Sequence, residues 1–376
     1  MKKFTGTSNN PKLCVTLHRQ NTHLLRVNSA FASLANLDFS IIKKNLIIIT
    51  SFALMFSLPL SAQEGNNVFS FLRLPTSSHA NALGGNNISL IERDPSLVFH
   101  NPALSGGEMD GMINLNYMNY IADIHAGSAI YIKNVGERGA WGIGTVYFNY
   151  GTMKEATADN IIWGNFAPQN VSVNAFYSHD LSEKWRGGFA FKMLYSGFME
   201  YASFGIAADA GLSYFNSEKE LSFGIVLKNI GAQLNTYDSR RENLPWDIQL
   251  GLTKKWAHAP FRVSVTAMYL NQWKFSYIDE SLNKTSLADS FLRTLAKHLV
   301  FGIDFIPSQN FWLGIGYNPK VNMDMKLQSG NGLGGFSAGG GLRVSKFDVS
   351  ASVARYHPSA LSLMLSISTS LSDFAL

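Results

Sequence analysis

Leu361-Ser362-Leu363-Met364-Leu365-Ser366-Ile367-Ser368 places a large aliphatic side chain at every second position, with Ser or Met between. A period of two puts alternate side chains on opposite faces of an extended chain, so this stretch reads as a β-strand with one apolar face. Working outward, the same pattern recurs. Phe347, Val349, Ala351 and Val353 show it, as do Leu299, Phe301, Ile303 and Phe305. So do Phe261, Val263, Val265, Ala267 and Tyr269, then Trp246, Ile248, Leu250 and Leu252, and Leu221, Phe223, Ile225 and Leu227. About 14 such strands follow one another from residue 112, a count that comes from this periodicity. Their expected starts are Met112, Ala126, Gly139, Asn170, Lys184, Tyr201, Glu220, Leu244, Pro260, Lys297, Asn310, Gly335, Lys346 and Ala360. Turn signals separate many of them, for example Asn134-Val135-Gly136 and Asn318-Pro319-Lys320. The last strand is expected to end on Asp373-Phe374-Ala375-Leu376.

Alternation alone does not say which solvent meets the apolar face. Charged residues are only 15% of the 376, aromatics reach 12%, and there are 32 glycines. The other face of each strand is small and neutral, as suits a lumen. Aromatics gather at strand ends: Tyr117, Tyr120, Tyr147, Tyr150, Trp185, Trp246, Trp256, Trp273 and Trp312. Rings at such positions are expected to form girdles at the two membrane interfaces. Strands cross a membrane only as a closed barrel, because an open edge leaves backbone groups unpaired in lipid. The expected fold is therefore all-β, a transmembrane antiparallel β-barrel of about 14 strands. A secreted β-sandwich or propeller is the alternative.

The formal charge of +5 invites a nucleic-acid reading. Its location removes it. Lys43 and Lys44 precede an apolar run from Leu46 to Leu60, followed by Ser61-Ala62 and a polar stretch. That is the layout of a secretory signal, with cleavage expected after Ala62 and a true start near Ile42. Residues 1–62 hold seven of the 31 basic residues and one of the 26 acidic ones, leaving 24 and 25 and a net charge of −1. The only cysteine, Cys14, lies in the same segment, so no disulfide framework or thiolate metal site is expected in the mature chain.

Residues 63–111 do not alternate. They carry Phe71-Leu72-Arg73-Leu74-Pro75, then Ala82-Leu83-Gly84-Gly85-Asn86-Asn87, Asp94-Pro95-Ser96, Phe99-His100 and Asn101-Pro102-Ala103. Pro fixes φ, while Gly and Asn accept positive φ, so the segment is turn-rich. It is expected to fold into the lumen as a plug, with the barrel over 112–376. The Gly-Gly-Asn-Asn run followed by Asp-Pro-Ser and Asn-Pro-Ala resembles the plug region of FadL-like outer-membrane barrels. Within these the sequence is similar to the PorQ and PorV proteins of the type IX secretion system of Bacteroidetes. Met112-Ile113-Asn114-Leu115-Asn116-Tyr117-Met118-Asn119-Tyr120 and Gly139-Ala140-Trp141-Gly142-Ile143-Gly144 point to the PorQ branch.

The resemblance implies a 14-stranded barrel with a luminal N-terminal segment and an outer-membrane location. It implies a non-enzymatic role in the attachment complex, with PorZ-, PorU- and PorV-like subunits as partners, which processes cargo and joins it to lipopolysaccharide. The competing expectation is a passive transporter of hydrophobic compounds. There Phe71, Leu72, Leu74 and Phe99 are the candidates to contact an apolar ligand, such as a lipid or detergent. Connections 151–169, 236–243, 274–296 and 320–333 are candidates to dock a soluble partner, and a helix is expected from Leu287 to Lys297. No residue is expected to be catalytic, and no cofactor or metal is expected. Ser281-Leu282-Asn283-Lys284 matches Ser-x-x-Lys but lacks the companion elements of that chemistry. The seven histidines after residue 62 do not fall in metal-binding spacings. His100 and Asp94 read as structural hydrogen-bonding groups.

Overall fold

The computed structural model describes residues 68–156, 159, 162–237, 241–273, 287–324, 334–357 and 360–374. The expected export signal, Cys14 and Ser281–Lys284 lie outside the described residues. In chain order the strands are β1 (Met112–Asn119), β2 (His125–Val135), β3 (Gly139–Asn149), β4 (Met153–Ala156), β5 (Ile162–Phe166) and β6 (Gln169–Asp180). Then come β7 (Trp185–Phe198), β8 (Tyr201–Asn216), β9 (Leu221–Asn235), β10 (Asp247–Lys255) and β11 (Phe261–Ala267). The last are β12 (Leu299–Ser308), β13 (Phe311–Tyr317), β14 (Phe336–Val344), β15 (Phe347–His357) and β16 (Ala360–Ser370). Every one except β4 and β5 belongs to a closed antiparallel barrel. Closure comes from β1 pairing with β16, Met112 opposite Ser370 through Asn119 opposite Leu363. No sheet edge is left for lipid to meet.

The outward face is apolar. Leu115 is 50% exposed, Ile143 51%, Met193 54% and Ile315 59%. A continuous belt of such side chains is costly in water and is at rest in hydrocarbon, so the barrel spans a membrane. The inward face is small or polar because the plug fills the lumen. A Cβ on Gly211 would sit 2.0 Å from Asn101 Oδ1, and one on Gly316 would sit 2.1 Å from the Gly84 nitrogen. Glycine at these wall positions lets the plug backbone lie directly against the strands.

Several expectations need correction. The segment 151–169 contains the two-stranded sheet of β4 and β5 rather than loop alone. The connection at 320–333 opens with a helix, Pro319–Asp324. β16 ends at Ser370, and Asp373 lies in a 3-10 turn beyond it. Tyr120, Tyr150 and Trp312 are not girdle residues. Each falls on the inward parity of its strand, and they pack on the plug, line an internal cavity and stack on His79, respectively. The expected helix is Leu287–His298.

The two ends of the barrel differ. The connections 136–138, 181–184, 217–220, 256–260, 309–310 and 345–346 form one end and are short. The connections 120–124, 150–168, 199–200, 236–246, 268–298, 318–335 and 358–359 form the other, and four of these seven are long. Barrels of this class place short turns in the periplasm and long loops outside. All four candidate docking connections emerge at the long-connection end.

Candidate functional site

The described plug begins at the long-connection end, where the Val68 N–H donates to the Asn243 carbonyl. Phe69 takes the left-handed conformation, φ 58°, and starts a 3-10 turn over Ser70–Arg73. That turn points Phe71 into a cluster with Phe148, Leu194, Ala207 and Leu244, with Leu72 and Leu74 packed alongside. Above it lies a cavity of about 540 Å³. Val68, Phe69 and Ser70 form its floor, and Phe198, Tyr201 and Tyr237 belong to its walls.

One wall carries a polar seam. Tyr237 donates to Ser196 and Ser196 to Asn170, whose Nδ2 donates to the Tyr150 hydroxyl at 2.8 Å.

Below the floor, Phe71, Leu72, Leu74 and Phe99 come together around a much smaller cavity of about 30 Å³, with His100, Lys192 and Lys228. All four candidate ligand-contact residues therefore share one space, but it has room for little more than a water. Lys192 and Lys228 stand on the ordinary inward parity of β7 and β9, and a defect in the wall lies beside them. The register of β8 and β9 shifts between Ala208 and Ala210, and Asn229 has φ 56°. This bulge turns Asn229 inward next to Lys228 and reverses the parity of β9 beyond them. Asp209 accepts from the Asn229 backbone N–H at 2.7 Å and pairs with Lys192 at 2.6 Å. Lys228 donates to the Phe99 carbonyl at 3.2 Å.

A hydrogen-bonded relay runs from the plug to the wall. The Thr76 N–H meets His100 Nε2 at 3.5 Å, and His100 Nδ1 meets Asn86 Oδ1 at 2.7 Å. Asn86 donates to Gln249, and Gln249 to Asp247. Burial, with Lys228 and Lys192 nearby, holds His100 well below the usual imidazole range, so it is neutral and its Nε2 accepts.

The remaining motif residues shape the plug. Gly84 and Gly85 have φ 100° and 97°, and the Gly84 N–H donates to Ser337 at 2.9 Å. The Asn87 side chain accepts from the Ser89 N–H at 3.0 Å. Asp94 and Asn101 each cap a short 3-10 helix whose first residue is proline, Pro95 and Pro102, with Ala103 supplying the capped N–H in the second. Burial raises the Asp94 carboxyl despite hydrogen bonds from Ser96 and Ser77. His100 and Asp94 make separate contacts.

At the short-turn end, a quartet of three buried side chains and the half-buried Glu92 has no counterpart in the motif reading. His79 Nδ1 lies 2.6 Å from Glu92 and its Nε2 lies 3.0 Å from Asp304. Arg262 reaches Glu92 at 2.7 Å and Asp304 at 2.8 Å. Trp312 stacks on the His79 ring, centroids 3.5 Å apart. Burial alone would lower His79, but the charges of Glu92 and Asp304 outweigh it and raise it to about 9. Burial would raise Glu92, but Arg262 and His79 hold it down at about 2. The quartet is charged and balanced, and it ties the plug to β11 and β12. Alternation placed Arg262 and Asp304 on the inward face; nothing local paired them with His79. Among the described residues, no group of three or more His, Cys, Asp or Glu is placed to hold a metal.

The fold and this geometry define a plugged transmembrane barrel of the outer-membrane type. Solved structures share the architecture. A deltaS2 mutant of the TodX monoaromatic hydrocarbon channel matches with a TM-score of 0.50 and 10% identity, over 78% of this chain and 98% of that one. The CymD monoaromatic hydrocarbon channel gives 0.49 and 13%, over 80% and 98%. A FadL homologue of Pseudomonas aeruginosa gives 0.46 and 12%, over 80% and 98%. At these identities the likeness concerns the fold. No protein-family model matches the sequence, and no curated protein matches it.

Proposed function

We propose that this protein is an outer-membrane barrel that captures a hydrophobic compound in its cell-surface mouth. The observation that carries this reading is the 540 Å³ cavity, floored by the start of the plug and walled by aromatic rings. A cavity of that size suits a small organic ligand, and apolar walls with a few polar groups are the usual make-up of such sites. The polar relay and paired lysines beneath the floor are not assembled for bond-breaking chemistry. Ser70 reaches the cavity from an exposed position, so Ser70→Trp fills it without disturbing the core. Calorimetry on the purified barrel in nanodiscs should show binding of an alkylbenzene that Ser70→Trp abolishes. Equal binding by both proteins would refute the reading.

A second reading has its own support. The β4–β5 hairpin exposes Ile162 and Trp163, at 57% and 74%, at the end where the candidate docking connections emerge. Exposed rings of this kind are common anchors for protein partners. On this reading the barrel is the PorQ-like membrane anchor of a type IX attachment complex, binding a PorZ-like subunit with PorU- and PorV-like proteins. A detergent-solubilised pull-down tests it: recovery of the PorZ-like subunit, lost in Trp163→Ala, is expected. Both readings include export with cleavage after Ala62, so mass spectrometry should find a mature N-terminus at Gln63.

A further inference from the structure

We infer that the surface cavity selects by charge and takes an aromatic or alkyl ammonium cation in preference to a carboxylate. The inference rests on the ligand-capture reading above and adds the chemical class of the ligand.

Three independent features of the cavity agree. First, five rings line it: Phe69, Tyr150, Phe198, Tyr201 and Tyr237. The face of each ring carries the negative part of its quadrupole, which attracts an organic cation. Second, among the described residues Glu242 is the one carboxylate on the lining, and no described Lys, Arg or His lines the cavity. Lys192 and Lys228 line the separate small cavity beneath the floor instead. A carboxylate entering the upper cavity would leave water with no cation to receive it, which is costly. Third, two hydroxyls of the polar seam have spent their protons internally. Tyr237 gives its hydroxyl proton to Ser196, and Ser196 gives its own to Asn170. The Tyr150 oxygen accepts from Asn170. The hydroxyls of Tyr237 and Ser196 therefore offer the cavity lone pairs rather than protons. Lone pairs, ring faces and a carboxylate all favour positive charge.

The test uses the mature barrel in nanodiscs of neutral lipid and three probes of nearly one shape. These are benzyltrimethylammonium, its uncharged isostere neopentylbenzene, and the anion 3,3-dimethyl-2-phenylbutanoate. Calorimetry should rank them cation, neutral, anion, with about tenfold or more between the first and last. Glu242→Gln should weaken the cation about threefold or more and leave the neutral probe unchanged, since Glu242 is exposed and its loss does not disturb the core. An anion that binds as tightly as the cation overturns the inference, as does a Glu242→Gln protein that binds the cation as tightly as the wild type. If all three probes bind equally and Ser70→Trp removes them, only the charge preference falls. If none binds, the ligand-capture reading falls with it.

Discussion

At the short-turn mouth the plug is held by four charged side chains and a stacked tryptophan, whereas at the long-connection mouth it floors an aromatic cavity of about 540 Å³. Both mouths use the same 14 strands and the same plug. The difference lies in what the inward positions carry. Near the short turns, Arg262 and Asp304 stand where the plug brings His79 and Glu92, and charge satisfies charge. Near the long connections, the ends of β6, β7 and β8 line the space above the plug with Asn, Ser, Gly and aromatic residues. The anchor and the proposed capture site are thus separated along the barrel axis, so each should be alterable without the other.

Breaking the anchor should have the largest effect. Arg262→Met leaves Glu92 and Asp304 without their guanidinium and should cost about 3–5 kcal/mol, the usual penalty for an unpaired buried charge. Urea unfolding in detergent should show it, while alkylbenzene binding at the far mouth should survive in the folded fraction. Phe71→Ala acts on the other side of the comparison. It should cost about 3 kcal/mol and join the small cavity to the large one, so larger alkylbenzenes gain affinity. Unchanged size selectivity in calorimetry would show that Phe71 does not separate the two cavities.

Acid and base should loosen the anchor by one partner at a time, a smaller effect than removing Arg262. Glu92 has its folded pKa lowered to about 2, so its contribution is present above the ordinary glutamate value of 4.5 and is lost as pH falls through about 2. His79 has its folded pKa raised to about 9. Its contribution is complete below 6.5 and is lost as pH rises through about 9. Protease resistance of the plug should therefore be greatest between pH 4.5 and 6.5. In His79→Gln the alkaline loss should vanish and the acid loss remain. Asn101→Ala removes a cap and should cost about 1 kcal/mol in the same unfolding assay. The smallest stability effect is expected for Trp163→Ala, within about 0.5 kcal/mol because the ring is exposed. That makes it a clean probe of partner docking.

Much of this was legible along the chain. The expected strand starts fall within three residues of the observed ones, from Met112 through Ala360. Alternation is a local signal that lipid outside and a plug inside both reinforce. It failed where parity changed or a strand ended. The Lys228–Asn229 bulge carries no local mark beyond a polar pair, and Tyr120, Tyr150 and Trp312 sit at strand ends where girdles are also found. The motif residues Gly84, Gly85, Asp94 and Asn101 were legible as turn formers. Their role as caps and close contacts needed the wall beside them.

The sequence by itself determined that the chain makes an even set of strands with one apolar face, and that its net basic excess lies in the first 62 residues. Both follow from short-range order and composition. Only the tertiary structure decided that His79 meets Asp304, 225 residues away, and that four apolar plug residues share a cavity too small for an organic ligand. It also decided that the room for one lies above them. Barrel closure joins residues by register rather than by proximity in sequence, so the pairings that hold the plug and the space it leaves have no local signature.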